Sequence, residues 1–584
     1  MRSFFKTFLA ALLAFFVFAG ICIIVLIGFI TKAVAPEKVK IDPNGVLVLE
    51  TGQLYKEQKI ANPLNVLRGQ ANEVPGLYDA VRIIEHAAED DNIKGIYLKT
   101  GGNPNGFASS EELRNALLTF RKSGKFVYAY GEGMTQQAYY LASAADKVYL
   151  HPQGGLDFNG FAATLVFLKG TLDKLEIQPE IFYDGKFKSA TEPLRETQMT
   201  AANRIQTSAY LGELYGNYLL NIGKSRKLDT ATLHRYANEG LIQNANDALT
   251  YKLVDGLKYD DQVMDDLRAR LGLKKNDDIN FVSLSKYESA ADYKYTSGDS
   301  KIAILYAQGS IVSNDGSEDV IISSDKYLKE IRKLRNDNSI KAIVFRVNSP
   351  GGSALASETI WRELQLAKKV KPVVVSMGDY AASGGYYISC MADSIFAEPN
   401  TLTGSIGVFG VMMNLQSFFK NKLGVTFDGV KTAQYADLGT ATRPMTPVER
   451  KFVQNAIDSI YATFKSRVVA GRKLSPAVVD SIAQGRVWSG VQAKSLGLVD
   501  RLGGINDAIA CAARMAKISS YRLREYPEVK PPLEKLLQNL GGNAGESMIK
   551  KELGANYTVY RQIKRLQEIN GQVQARLPFD IEVR

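Results

Sequence analysis

Asn92-Ile-Lys-Gly-Ile-Tyr-Leu-Lys99 and Ser339-Ile-Lys-Ala-Ile-Val-Phe-Arg346 are the same sentence written twice. A second pair, Tyr139-Tyr-Leu-Ala-Ser-Ala-Ala-Asp146 and Tyr386-Tyr-Ile-Ser-Cys-Met-Ala-Asp393, repeats at the identical spacing of 247 residues. Pro152 with Pro399 and Gly160 with Gly407 hold that register without a gap. An internal match held in register for so long marks a tandem duplication.

The repeated unit opens with a short apolar strand, Val46 to Leu49 in one copy and Ile302 to Leu305 in the other, and then alternates strand and helix patterns. In the second copy, strand Ala342 to Val347 precedes helix Ser357 to Lys369, and strand Pro372 to Met377 follows. Strand, helix, strand in succession predicts an α/β fold with parallel sheets and crossover helices. Helical insertions near Ala201 to Ile222 and Pro447 to Gly471 close each unit, and the polar stretch Tyr287 to Ser300 reads as the boundary between copies. A chain of 584 residues exceeds what one core supports, so two domains are expected: residues 41–295 and 296–584, the second with a helical tail.

Residues 1–40 read as a membrane anchor. From Phe8 to Ile30 no residue is charged, and a helix of that length at about 1.5 Å per residue crosses a hydrocarbon core of about 30 Å. A cleaved signal peptide is the rival reading, since Ala33-Val34-Ala35 resembles a cleavage pattern; the run exceeds the usual ~7–15 residues, and Pro36 would follow the cut. Arg2 and Lys6 before the span favour an inside amino terminus, with the bulk of the chain outside the cytoplasm. The 72 basic and 61 acidic residues, net +11, are interspersed without a Lys/Arg block, which points to a lipid surface and not to nucleic acid. Cys22, Cys390 and Cys511 form no disulfide framework, and His86, His151 and His234 stand alone, so neither a metal nor a cofactor is expected.

Chemistry concentrates in the second copy. Asn348-Ser-Pro-Gly-Gly-Ser353 and Met377-Gly-Asp-Tyr-Ala-Ala-Ser-Gly-Gly-Tyr-Tyr387 both follow strands, where open parallel sheets place their sites. Gly351 and Gly352 permit a positive φ that turns amide groups towards a ligand. Ser383 stands at the mouth of a helix, close to free backbone donors. Each motif alone is also a good turn or cap. The duplication separates the readings: Pro104, Asn105, Gln136, Gln137 and Ala138 occupy the matching positions of the first copy, which keeps the framework without the site. A serine nucleophile needs a base, and with no histidine in the second copy a neutral lysine is the usual substitute.

Asp184-Gly-Lys-Phe-Lys-Ser-Ala-Thr-Glu-Pro193 together with Gly378-Asp-Tyr-Ala-Ala-Ser-Gly-Gly385 resembles the long form of bacterial signal peptide peptidase A, from the anchor to Leu577-Pro-Phe-Asp580. The resemblance implies two tandem domains of the Clp protease and crotonase type and a Ser-Lys dyad, with Ser383 as nucleophile and Lys188 as general base. Lys188 lies in the first copy, and its counterpart in the second is Thr432 or Tyr435 according to whether Asp184-Gly185 is set on Asp428-Gly429 or the offset is kept. Each copy has then lost the half of the dyad that the other keeps. A useful lysine base must sit roughly 3 units below its unperturbed pKa, which burial between domains can provide. Backbone N–H groups of Gly384 and Gly352 are expected to hold the oxyanion, and Ser405 reads either as a hydroxyl that orients the lysine amine or as a turn serine. The resemblance further implies signal peptides left in the membrane as substrates, small or hydrophobic residues at the cut, a ring-like homotetramer, and a bacterial inner-membrane location with the catalytic domains on the periplasmic side. Two rivals from other classes are a crotonase-like acyl-CoA enzyme, which needs no Ser-Lys pair and would meet little coenzyme A outside the cytoplasm, and a non-catalytic membrane scaffold, which leaves the intact second-copy site without a purpose.

Overall fold

The computed structural model describes residues 40–59, 74–291, 293–294, 298–314, 321–529, 571 and 573–577, with scattered positions between 8 and 21. The expected span 8–30 and the tail helix therefore lie largely outside the described residues. Among those described, no helix is long and apolar enough to cross a membrane.

In the first half, β1 (Gly45–Glu50), α1 (Leu77–Glu89), β2 (Ile93–Lys99), α2 (Phe107–Arg121), β3 (Phe126–Met134), α3 (Gln136–Ala142) and β4 (Lys147–Leu156) follow in order. β5 (Gln178–Asp184) and the long helix α4 (Ala201–Arg226) come next, then β6 (Gly256–Leu257) and β7 (Phe281–Ser283). Strands β6-β4-β3-β2-β1-β7 make one six-stranded sheet in which every pairing is parallel. Helix α1 is buried at every position from Leu77 to Ile84 and again at Ala87, so its first two turns are covered all round.

The second half repeats the plan with β8 (Lys301–Gln308), β9 (Ser310–Val312), β10 (Ile321–Ser323), α5 (Ser324–Asn336), β11 (Ile340–Ser349), β12 (Gly351–Ser353), α6 (Ala354–Lys368), β13 (Val373–Ala382), α7 (Gly384–Ser389), β14 (Ser394–Ala397), β15 (Leu402–Gly404) and β16 (Val408–Asn414). After α8 (Pro447–Arg472), β17 (Val487–Ser489), β18 (Arg501–Leu502), α9 (Ile505–Met515), β19 (Arg522–Tyr526) and β20 (Val573–Arg576) complete the chain. The main sheet runs β17-β15-β13-β11-β8-β19, with β14 and β18 branching from β13. Its strands are buried on both faces. Ala303, Leu305, Ile343, Phe345 and Val375 pack with Tyr327, Ile331, Ile360 and Leu364. Ile302, Ile304, Val344 and Val374 join Ile505, Ile509 and the first half's core in one cluster. Period-two alternation thus divides one sheet between two cores.

The duplication survives in hydrogen bonds. Asp146 and Asp393 each accept from an amide at the start of β3 and β13, Val127 and Val373, at 2.9 Å. Tyr139 and Tyr386 donate to the carbonyls of Leu253 and Leu498 at 2.6 and 2.9 Å.

Three sequence expectations shift. Helix α6 begins at Ala354, three residues before the expected Ser357, because Ser353 caps it by accepting from the Ala356 amide. Strand β13 runs on to Ala382, since Tyr380–Ala382 pair with β15. The polar boundary begins inside a helix, Leu284–Ala290, where Tyr287 is buried and bonded to Asp90 and His86.

A third sheet, β10-β9-β12-β20-β16-β5, joins the halves. Strand β5 pairs antiparallel with β16 along seven residues, from Val408↔Asp184 to Asn414↔Gln178. Behind it, buried Arg346 of β11 donates to Glu57 at 2.8 Å and to Glu112 at 2.6 Å, both carboxylates from the first half. Burial pushes the Glu112 carboxyl up to about 7, with the neighbouring Glu57 adding to it and Arg346 opposing. Removing the guanidinium leaves these acids uncompensated, so Arg346→Ala is expected to lower unfolding stability by about 3–5 kcal/mol, measured by denaturant titration.

Candidate active site

Four residues past the end of β5, the chain turns onto the second half. The Phe187 amide donates to the Gln484 carbonyl at 2.7 Å, and Gln206 of α4 donates to the Phe187 carbonyl and to Ser189 Oγ. Lys188 packs directly on Gly485, which has φ +73° and where an added Cβ would lie 2.7 Å from the Lys188 Cβ. Only glycine combines that conformation with that clearance. The lysine side chain is therefore directed into the second half by backbone contacts on both sides.

Ser383 sits between β13 and α7 with φ 55° and ψ −113°, a conformation rare for a residue with a Cβ. Its amide donates to the Gly404 carbonyl at 2.8 Å, which holds the turn. Strain of this kind, of order 1–3 kcal/mol, persists only where the surroundings fix it, and it clusters at functional sites. Lys188 Nζ lies 2.8 Å from Ser383 Oγ, 3.0 Å from Ser405 Oγ and 3.2 Å from the Ser405 carbonyl oxygen. Both Ser383 and Lys188 are about fully buried, at 0% and 1% exposure.

Electrostatics favour an uncharged amine. Burial pushes Lys188 well below the ordinary lysine value of 10.5, and among the described residues no carboxylate opposes the shift. A neutral amine has two N–H donors and one lone pair. Its three neighbours match: two oxygens of Ser405 can accept, and the Ser383 hydroxyl can donate. In that state the Ser383 hydroxyl can donate to the amine, with the Gly407 carbonyl, 3.4 Å away, as its other acceptor.

Gly384 and Gly352 adjoin this pair: a Cβ built on Gly384 would fall 3.1 Å from the Gly352 nitrogen. The two glycines of the Ser-Pro-Gly-Gly turn differ from expectation. Gly351 alone has a positive φ, +99°. Gly352 is required by close packing, since a Cβ there would meet the Ile311 carbonyl oxygen of β9 at 2.1 Å. In the first copy, Gln136 fills the place of Ser383: its amide group donates to the Gly160 carbonyl and accepts from the amides of Asn159 and Gly160. Thr432 is exposed, and Tyr435 stacks edge-on with Phe452.

Profiles of known families match stretches of this chain. That of peptidase family S49 matches residues 119–274 and 365–519, one stretch in each copy, and that of Clp protease matches residues 298–403. The chain is similar to Protease 4 of Salmonella typhi, 38% identical over 516 residues, 86% of this chain and 82% of that protein. The chain belongs to peptidase family S49. A chloroplastic serine protease SPPA of Arabidopsis thaliana is 33% identical over 502 residues, 84% of this chain and 72% of that protein. A protein of Enterococcus faecium bearing a signal peptide peptidase name is 34% identical over 232 residues, 39% of this chain and 67% of its own length. The S49 member described here is an α/β serine protease built from two repeats, and it acts on peptides.

Sequence reading missed Gln484 and Gly485, Gln206, and the Arg346–Glu57 pair. Gly485 follows Ala483-Gln484 as an ordinary helix stop, so only its contact with Lys188 reveals a role. Gly485→Ala should displace the amine and lower kcat by about 10²-fold with the fold intact, which steady-state peptide hydrolysis beside a thermal melt will check.

Proposed function

We propose that this S49 protease is a membrane-anchored endopeptidase in which neutral Lys188 takes the proton of Ser383, and that it degrades signal peptides remaining in the membrane after secretion. The observation carrying the reading is the 2.8 Å contact between a buried lysine amine, with no acidic neighbour among the described residues, and the hydroxyl of a serine whose backbone is strained. Ser383 Oγ attacks the peptide carbonyl, and the amides of Gly384 and Gly352 take the oxyanion. Lys188, now protonated and held by Ser405, returns the proton to the leaving amine; water then hydrolyses the acyl-enzyme. Signal peptides as substrates follow from the resemblance and from the name of the Enterococcus relative. The uncharged run from Phe8 to Ile30 supplies the anchor, with the rest of the chain outside the cytoplasm.

Ser383→Ala and Lys188→Met should each reduce hydrolysis by about 10³-fold or more. The wild-type rate should rise with pH through the lowered lysine pKa and then level off; a rate flat from mildly acidic to alkaline pH, on folded protein, would remove Lys188 as base. Stability has its own sign. The unfolded chain binds a proton on Lys188 that the folded chain excludes, so folding is penalised below the ordinary value of 10.5 and relieved as pH rises towards it. Lys188→Met should therefore raise Tm at neutral pH while abolishing activity, and its advantage should shrink in alkali.

The same reading includes a homotetrameric ring, supported by internal symmetry. Within the chain, β5 of the first copy pairs with β16 of the second. The reciprocal segments are Phe161–Phe167, which matches β16 at the 247 offset, and 422–431, which matches β5. Among the described residues neither forms a strand of a sheet, although Ala163 makes an isolated bridge, and Val425, Phe427 and Val430 are exposed. Pairing them between neighbours reproduces the internal joint and propagates head to tail until the ring closes. Phe427→Asp with Val430→Asp should shift the assembly towards monomers in light scattering while leaving the Ser383–Lys188 contact within each chain.

A further inference from the structure

Helices α2 and α6 are the same element of the two copies, since Phe107–Arg121 and Ala354–Lys368 differ by 247 at both ends. Their amino termini are satisfied differently. Helix α6 is capped from within: Ser353 Oγ accepts from the Ala356 amide at 3.3 Å. The matching cap position of α2 is Gly106, which has no side chain to offer. Its cap comes from the other half of the molecule. Asp379 of β13 accepts from the Ser109 amide at 3.0 Å and from Ser109 Oγ at 2.6 Å, and Ser109 is the residue that matches Ala356. Gly106 leaves the room for it: the nearest neighbours of a Cβ built there would be the three atoms of the Asp379 carboxyl, at 2.2, 2.2 and 2.6 Å. In the first copy the counterpart of Asp379 is Glu132, which is exposed, so the cap is given in one direction only.

Asp379 lies four residues before Ser383, on the strand that leads to it. The next residue is tied to the first half as well: the Tyr380 amide donates to Asn348 Oδ1 at 3.2 Å, and Asn348 Nδ2 donates to Glu57 at 2.8 Å. Asn348 in turn opens the segment that carries Gly352. Tyr380–Ala382 then pair with β15, the Ser383 amide donates to the Gly404 carbonyl at the end of β15, and Ser405 just beyond holds the Lys188 amine. The arm bearing the nucleophile is thus rooted in the half that supplies the base. A serine at position 106 would satisfy the α2 amides as Ser353 satisfies those of α6. A cap drawn from the nucleophile strand does more, because it fixes the two halves against each other beside the reacting serine. We propose that Asp379 is a positioning residue for hydrolysis, which by capping α2 across the domain boundary holds Ser383 in register with Lys188. The inference rests on the Ser383–Lys188 reading above.

Steady-state hydrolysis of a fluorogenic alanine peptide by the full-length protein, beside thermal melts, separates positioning from stability. Asp379→Ala should lower kcat by about 10²-fold with little change in KM, and should lower Tm. Asp379→Asn should recover most of both losses, since asparagine caps a helix about as well as aspartate. The deciding variant joins Gly106→Ser to Asp379→Ala and so gives α2 the local cap that α6 has: Tm should return towards wild type while kcat stays about 10²-fold down. Recovery of kcat together with Tm in that double variant would overturn the proposal, as would Asp379→Ala with wild-type kcat. Should the double variant not regain Tm, Asp379→Asn decides: restored Tm with kcat still at the Asp379→Ala level would overturn the proposal, because the cap would be present and the serine still misplaced. Hydrolysis that survives Ser383→Ala unchanged would instead remove the dyad on which the inference stands.

Discussion

The antiparallel joint between β5 and β16 is the contact on which everything at the site depends. Seven residue pairs fix the first half's chain against the second, and four residues beyond the ladder stands Lys188. A long lysine side chain left to itself favours water and a full charge. Here backbone bonding delivers it into a dry cleft, and the same burial lowers its proton affinity. The strand pairing thus does two things: it places the amine, and by burying it lowers the amine's proton affinity.

Placing an amine there is unfavourable by itself, and the surroundings offset it in particular ways. Ser405 gives the amine two oxygens, Gly485 lets the backbone approach, and Gln206 ties the loop to α4. Away from the reacting atoms, Arg346 binds carboxylates from the opposite half in a buried cluster. The halves are coupled by polar groups that have no alternative partner in water's absence, so their relative position is sharply defined.

The two copies show what separates framework from chemistry. Aspartates that cap β3 and β13, and tyrosines that reach a distant carbonyl, are kept in both. These groups serve the sheet. At the positions that would meet substrate, the copies diverge: a side-chain amide closes the first copy's turn where a strained serine opens the second's. A turn whose donors are satisfied from within has nothing to offer a carbonyl.

Much of this was legible beforehand. Period-two and crossover patterns disclosed the parallel sheets, because apolar strands buried on both faces leave long uninterrupted runs such as Ala342 to Val347. The fixed offset disclosed the duplication, and comparing copies singled out Ser383. Lys188 was legible only through family resemblance, since nothing local distinguishes it from Lys186. Gln484, Gly485 and the place of β20 were not legible at all: each acts through contact with residues hundreds of positions away or by filling an edge, and such contacts leave no periodic trace. The sequence alone determined the repeated α/β units and the serine-bearing turn, because those follow from local pattern and packing period. Only the tertiary structure decided that a first-half lysine, buried and stripped of water, meets that serine, because a proton's affinity depends on what surrounds the group in space.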